Sequence, residues 1–201
     1  MSPYNERRAA EAIRDFLDAV GENPNRQGLV GTPDRVSRAW REMLAGYWQD
    51  PSDILKTHSG EHGFTGVDYE GMVVLADYPF SSVCEHHLLP FRGRADVGYL
   101  PNTGDDGTVV GLSKLGRLVD LYSRRLQVQE RLTTQIANGL QTHLNPRGVA
   151  VRIRGIHFCM ACRGVGKGGT MATEVALGAM KNHHLRTEFH RLCQPLDRGQ
   201  G

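Results

Sequence analysis

Val149-Ala150-Val151-Arg152-Ile153-Arg154-Gly155-Ile156-His157-Phe158-Cys159 is the run that decides how this chain is built. Val149, Val151 and Ile153 alternate with Ala150, Arg152 and Arg154, which is the period of a β-strand. Continued to the end of the run, the same alternation puts His157 and Cys159 on one face. A second strand is read from Met72-Val73-Val74-Leu75-Ala76, and Pro79-Phe80-Ser81-Ser82 leads it directly into Cys84-Glu85-His86-His87. Both strands thus deliver thiols and imidazoles at their ends. Residues 94–100 alternate as a further strand with Val97 and Tyr99 on one side. Thr108-Val109-Val110-Gly111-Leu112 is expected to pair with it as a hairpin across the turn residues 101–107.

Helices account for much of the rest. Ala9, Ile13, Phe16, Leu17 and Val20 recur at helical spacing over 6–20, and Gly21 is placed to stop that helix. Thr32-Pro33-Asp34 reads as an N-cap followed by proline at the first helical position, with Val36, Ala39, Trp40, Met43, Leu44 and Tyr47 as the apolar stripe. Residues 47–71 read as a long surface connection in which His58, Glu61 and His62 are ordinary loop residues. A third helix is expected to start with Ser113 as N-cap and to turn Leu115, Leu118, Val119 and Tyr122 inward. A fourth runs over 128–143, ended by Asn145-Pro146-Arg147-Gly148. Residues 170–180 have ambiguous propensity. Residues 185–192 read as a short terminal helix, with His183, His184 and His190 at the surface.

The 201 residues are 39% hydrophobic, enough for one packed core with a modest appendage. No run approaches the roughly 18 apolar residues of a membrane span, and the first residues lack the apolar region of a signal peptide. The expectation is a cytoplasmic protein. A formal charge of +2 gives no sign of a nucleic-acid or membrane surface. The four cysteines, Cys84, Cys159, Cys162 and Cys193, lie in one chain with nine histidines, which favours metal binding over disulfides in a reducing compartment.

Cys84, His87 and Cys159 form a candidate three-ligand zinc site, with His86 and His157 beside it as groups able to move protons. Zinc with an open position lowers the pKa of a water towards roughly 7, which suits hydrolytic attack on a carbon. The alternative is a closed structural site, since Cys162 follows Cys159 in a C-x-x-C spacing and could supply a fourth ligand. Lys114 and Arg117 sit in the first turn of a helix, where two cations are unfavourable unless an anion docks on the free N–H groups. Arg35 and Arg38 are i,i+3 neighbours on the second helix and read locally as a solvated face. Gly164-Val165-Gly166-Lys167-Gly168-Gly169 matches G-x-G-x-x-G only formally, because too little chain follows for a β-α-β unit. A base deaminase is excluded, since no H-x-E accompanies a P-C-x-x-C.

Five separated motifs, in order, resemble the GTP cyclohydrolase I family: Thr32-Pro33-Asp34-Arg35-Val36, Cys84-Glu85-His86-His87, Gly111-Leu112-Ser113-Lys114-Leu115, Gln127-Val128-Gln129-Glu130-Arg131-Leu132-Thr133, and His157-Phe158-Cys159-Met160 with Arg163-Gly164. The resemblance implies an α+β tunnelling fold: an antiparallel sheet with helices on one face that assembles into an oligomeric β-barrel, with an N-terminal helical region added. It divides the chain into residues 1–70, helical region and connection, and residues 71–201, the catalytic domain. It implies Zn2+ on Cys84, His87 and Cys159, and conversion of GTP and water to 7,8-dihydroneopterin triphosphate and formate, the entry to folate and other pterins. His86 and His157 would shuttle protons. Glu130, helped by Gln129, would hold the guanine edge. Ser113, Lys114, Arg117 and Arg163 would bind the triphosphate together with the basic pair Arg35 and Arg38. The partners implied are GTP and further copies of the chain, in a homodecamer with active sites between subunits. Three features depart from the family pattern: Arg38 where lysine is common, Cys162 where the residue is usually apolar or small, and Gly168-Gly169-Thr170-Met171 after Lys167. A nitrile reductase of the same fold superfamily is a further reading, disfavoured because both cysteines it would draw on are matched as ligands.

Overall fold

The computed structural model describes residues 3–55, 63–65, 69–102 and 108–194. Helix α1 (Glu6–Ala19) is capped by Asn5, whose side chain accepts from the Arg8 N–H, and the chain leaves it through Gly21 at φ 86°, a left-handed conformation that glycine adopts without strain. Helix α2 (Thr32–Met43) packs against α1, tied by the Ser37 hydroxyl donating to the Glu6 carbonyl at 2.8 Å. The N-cap of α2 is Gly31, not Thr32. The threonine lies within the first turn, where its Oγ1 accepts from Arg35.

The expected long connection holds regular structure. A 3-10 turn (Ala45–Trp48) and α3 (Pro51–Leu55) follow α2, and β1 (Gly63–Thr65) pairs antiparallel with β4 (Thr108–Val110). β4 is therefore not the hairpin partner of residues 94–100, because its backbone groups are taken by β1. His58, Glu61 and His62 lie outside the described residues, as do 103–107 of the expected turn.

The main sheet has the order β5-β2-β3-β6-β7. β2 (Val73–Cys84), β3 (Pro90–Leu100), β6 (Gly148–His157) and β7 (Thr170–Gly178) run antiparallel to their neighbours, and the two-residue β5 (Leu126–Gln127) joins the edge of β2 in parallel. β2 is one strand from end to end with a bulge after Leu75, where Asp77 takes φ 54°. The ambiguous segment 170–178 is the edge strand β7, paired along its length with β6.

Helices α4 (Leu112–Ser123) and α5 (Gln129–Leu144) cover one face. Leu115, Leu118, Val119 and Leu121 of α4 and Leu132, Ile136 and Leu140 of α5 are buried against Phe91, Ala95, Val97, Tyr99, Val151 and Ile153, as the alternation requires. Each such leucine contributes about 1.5–3 kcal/mol through burial. α4 is capped by Gly111 and has Ser113 in its first turn, a shift of two residues from the expected N-cap. On the opposite face α7 (His183–Leu192) sets Phe189 over Gly98 and forms a second apolar cluster with Met72, Leu100, Ala150, Met180 and Cys193. That cluster is far from the thiols and imidazoles at the other end of the strands.

Candidate active site

The ends of three strands meet beside the start of α5. β2 delivers Cys84, buried, into a tight reversal over 85–89, closed by the Cys84 N–H donating to Leu89 and the Leu88 N–H donating to Cys84. Leu88 takes φ 55° to make that turn. The Glu85 N–H donates to the Gln127 carbonyl, so β5 fixes the reversal from the side. Within it His87 Nδ1 lies 3.8 Å from Cys84 Sγ.

β6 ends at His157, two residues earlier than alternation suggested, and the chain folds into the helical turn α6 (Phe158–Ala161). His157 and Cys159 are therefore not two teeth of one strand face. The turn nevertheless carries Cys159 to Cys84, and the donor atoms of Cys84, His87 and Cys159 all lie within 4.8 Å of one another. Burial raises the Cys159 thiol above its ordinary value, and the adjoining Cys84 thiol adds to this. Cys162 is not part of the group. Its exposed thiol donates to the Phe158 carbonyl at 2.8 Å and is not among the donors that converge, so the four-ligand reading is not formed here.

The three donors fit zinc. Zn–S bonds of about 2.3 Å and Zn–N bonds of about 2.0–2.1 Å imply tetrahedral donor separations of roughly 3.6–3.8 Å, and two thiolates with one imidazole are borderline-soft ligands of the right kind. The Cys84–His87 separation is already on that scale.

Around the triad the remaining side chains divide sharply. His157 is stacked on Phe91, centroids 4.4 Å apart and planes 5° from parallel, and its Nε2 is 3.0 Å from Gln129 Oε1. Burial lowers its pKa, with the negative charge of Glu130 acting the other way. His86 is exposed, edge-on to His87, with Nε2 3.8 Å from Glu85. Arg163 donates to the Cys159 carbonyl at 3.4 Å and has the same nitrogen 3.4 Å from His87 Nε2. Glu130 is exposed in the first turn of α5.

The other sequence candidates lie apart from this cluster. The C-terminal end of α4 is the end at Cys84, through Ser82 Oγ and the Arg125 carbonyl. Ser113 and Lys114 belong to the opposite end of that helix, about 15 Å away at 1.5 Å per residue, and Arg117 lies near its middle, about 9 Å away. Arg117 instead borders a cavity of about 450 Å3 with Trp48, Asp53, Asp120 and Arg124. Arg35 and Arg38 are exposed on α2, and Arg35 bonds Thr32.

Sequence reading missed one ion pair. Glu85, between the ligands, accepts from Arg131 of α5 at 2.6 Å, which pulls its carboxyl below the ordinary value. Both residues stand inside motifs, but no local spacing links the reversal to α5.

The family model described as GTP cyclohydrolase I matches residues 9–194. The chain is 51% identical over 174 residues to the GTP cyclohydrolase 1 of Mycobacterium tuberculosis (strain H37Rv), covering 87% of this chain and 82% of that protein. It is 49% identical over 186 residues to the GTP cyclohydrolase 1 of Streptomyces coelicolor, covering 92% and 89%. Among solved structures, the archaeosine synthase QueF-Like in its apo form is similar at a TM-score of 0.38 and 21% identity, over 51% of this chain and 91% of that one.

Proposed function

The chain belongs to the GTP cyclohydrolase I family and is an enzyme of that activity, and from this premise we propose that Cys84, His87 and Cys159 hold the zinc and that GTP binds beside them. The observation that carries the reading is the convergence of these three donors within 4.8 Å at the ends of β2 and β6. When bound, zinc supplies an activated water and Lewis acidity for hydrolysis at C8 of the guanine ring.

The chain's own residues do the rest. Glu130, at the start of α5 and near His157, accepts from the guanine ring N–H and amino group, a two-point fit for a carboxylate. His157, packed on Phe91, and His86, exposed beside Glu85, move protons to and from the ring nitrogens as the ring opens and C8 leaves as formate. Arg163 stands against the cluster and meets the nearest phosphate charge. The product is 7,8-dihydroneopterin triphosphate, a precursor in folate and pterin formation.

Ser113 and Lys114, at the far end of α4, Arg117, near its middle, and Arg35 and Arg38, on the helical region, complete a triphosphate site when supplied by a neighbouring subunit. Their distance along α4 from the end beside Cys84, about 15 Å for Ser113 and about 9 Å for Arg117, supports this. The enzymes of this family are oligomeric, and we take the assembly to be a homodecamer with sites between subunits, working in the cytoplasm. No helix among the described residues is long and apolar enough to cross a membrane.

The test is incubation of zinc-loaded protein with GTP. One formate per GTP is expected, with a product that fluoresces after oxidation; release of neither from protein with full zinc content would overturn the reading.

A further inference from the structure

Gln129 is the first residue of α5 and is fully buried. Its amide is not left for a ligand. Nε2, with two protons, faces three acceptors, the Met171 carbonyl at 3.0 Å, Thr173 Oγ1 at 3.2 Å and the Ile153 carbonyl at 3.3 Å, so one proton is shared. Oε1 faces His157 Nε2.

The direction of every bond in this network can be worked out from proton counts. Thr133 Oγ1 lies 2.7 Å from the Gln129 main-chain carbonyl, which only accepts, so the hydroxyl's single proton goes there. Thr133 must then accept from Thr173 Oγ1, 2.7 Å away, and Thr173 must donate to it. With its proton spent, Thr173 can only accept from Gln129, so the nitrogen of the amide is the atom that faces it. The two carbonyls of Ile153 and Met171 demand the same orientation. Gln129 Oε1 is thus fixed as an acceptor, and the His157 Nε2 opposite it must carry a proton.

We propose that Gln129 is a positioning residue that holds the His157 ring in one orientation as the Nε2–H tautomer, leaving Nδ1 as its unprotonated nitrogen. Gln129 is then not a guanine contact. The inference deepens the proposed reaction and rests on it for the role of His157. Phe91 holds the ring plane by stacking. Gly155 leaves the room: a Cβ there would stand 2.7 Å from Gln129 Oε1 and press the amide away from the ring.

Solid-state 15N spectra of histidine-labelled, zinc-loaded protein without GTP read the tautomer, with the His157 signal identified by its loss in His157→Asn. A protonated Nε2 and an unprotonated Nδ1 are expected in the neutral ring. Gln129→Leu and Gly155→Ala lose this single tautomer, and kcat for formate release falls by about 100-fold, while KM for GTP stays within about twofold. Gly155→Ala keeps every side chain that could touch guanine, so it separates positioning from binding. An Nδ1–H tautomer in the wild type overturns the inference, and so does a raised KM with unchanged kcat and unchanged spectrum. A wild type that shows the Nε2–H ring but releases no formate defeats the proposed reaction and leaves the tautomer assignment standing.

Discussion

Cys159 and Cys162 are three positions apart and chemically alike, yet α6 gives them opposite surroundings. Cys159 faces Cys84 and His87, whereas the exposed Cys162 spends its proton on the Phe158 carbonyl. Cys162→Ser is therefore expected to retain full zinc by elemental analysis, while Cys84→Ser and Cys159→Ser lose it. The Glu85–Arg131 pair has a pH signature. The folded carboxyl lies below its ordinary value of 4.5, so its contribution to stability is complete above that value and is lost as pH falls through the folded pKa. The Tm difference between wild type and Arg131→Met should be widest near neutrality and close in acid; a difference independent of pH would show that the pair does not anchor the reversal. Ligand chemistry was legible in sequence because cysteine and histidine declare themselves. Glu85 was not, since an ion pair between a turn and a helix 46 positions on has no local pattern.

At the scale of elements, periodicity located the buried helices and the long strands, because side chains that face a core must repeat with the backbone. It failed where tertiary pairing decides. Residues 108–110 pair with 63–65, and Leu126-Gln127 makes a strand of only two residues whose existence depends on the exposed edge of β2. It also overran β6, since the helical turn at Phe158 carries no signal of its own. Gly46 shows how closely these elements approach: its N–H donates to the Arg124 carbonyl, its carbonyl accepts from Arg125 Nε, and a Cβ would collide with the Leu121 carbonyl oxygen. Gly46→Ala is expected to cost about 1–3 kcal/mol, read from the urea midpoint. Asp96 of β3 is a stronger case. Fully buried, it accepts from the Asp77 N–H and from Arg152 and Arg154, at 2.9, 2.9 and 3.4 Å. Asp96→Ala leaves two guanidinium groups short of their partner and is expected to cost about 3–5 kcal/mol in the same measurement.

For the whole molecule, Phe16 on α1, Val20 at its C-cap, Val30 in the turn before α2 and Leu112 at the start of α4 are each more than half exposed. The proposed assembly covers such residues, and light scattering is expected to give about ten times the 22.3 kDa of one chain; a single-chain mass would overturn it. Burial, with Asp96 nearby, pushes the Cys193 thiol up to about 12, so alkylating reagents should mark Cys162 in the native protein and reach Cys193 only on unfolding. That protection comes from α7, whose place over Gly98 and Ala150 has a consequence for biosynthesis. A chain is made from its N-terminus, and α7 is the last helix described to leave the ribosome. The face that holds Asp96 stays open until then, so a nascent chain stalled before residue 183 should remain protease-sensitive, while one extended past α7 becomes resistant. Completion of the fold thereby reports that translation has run through α7.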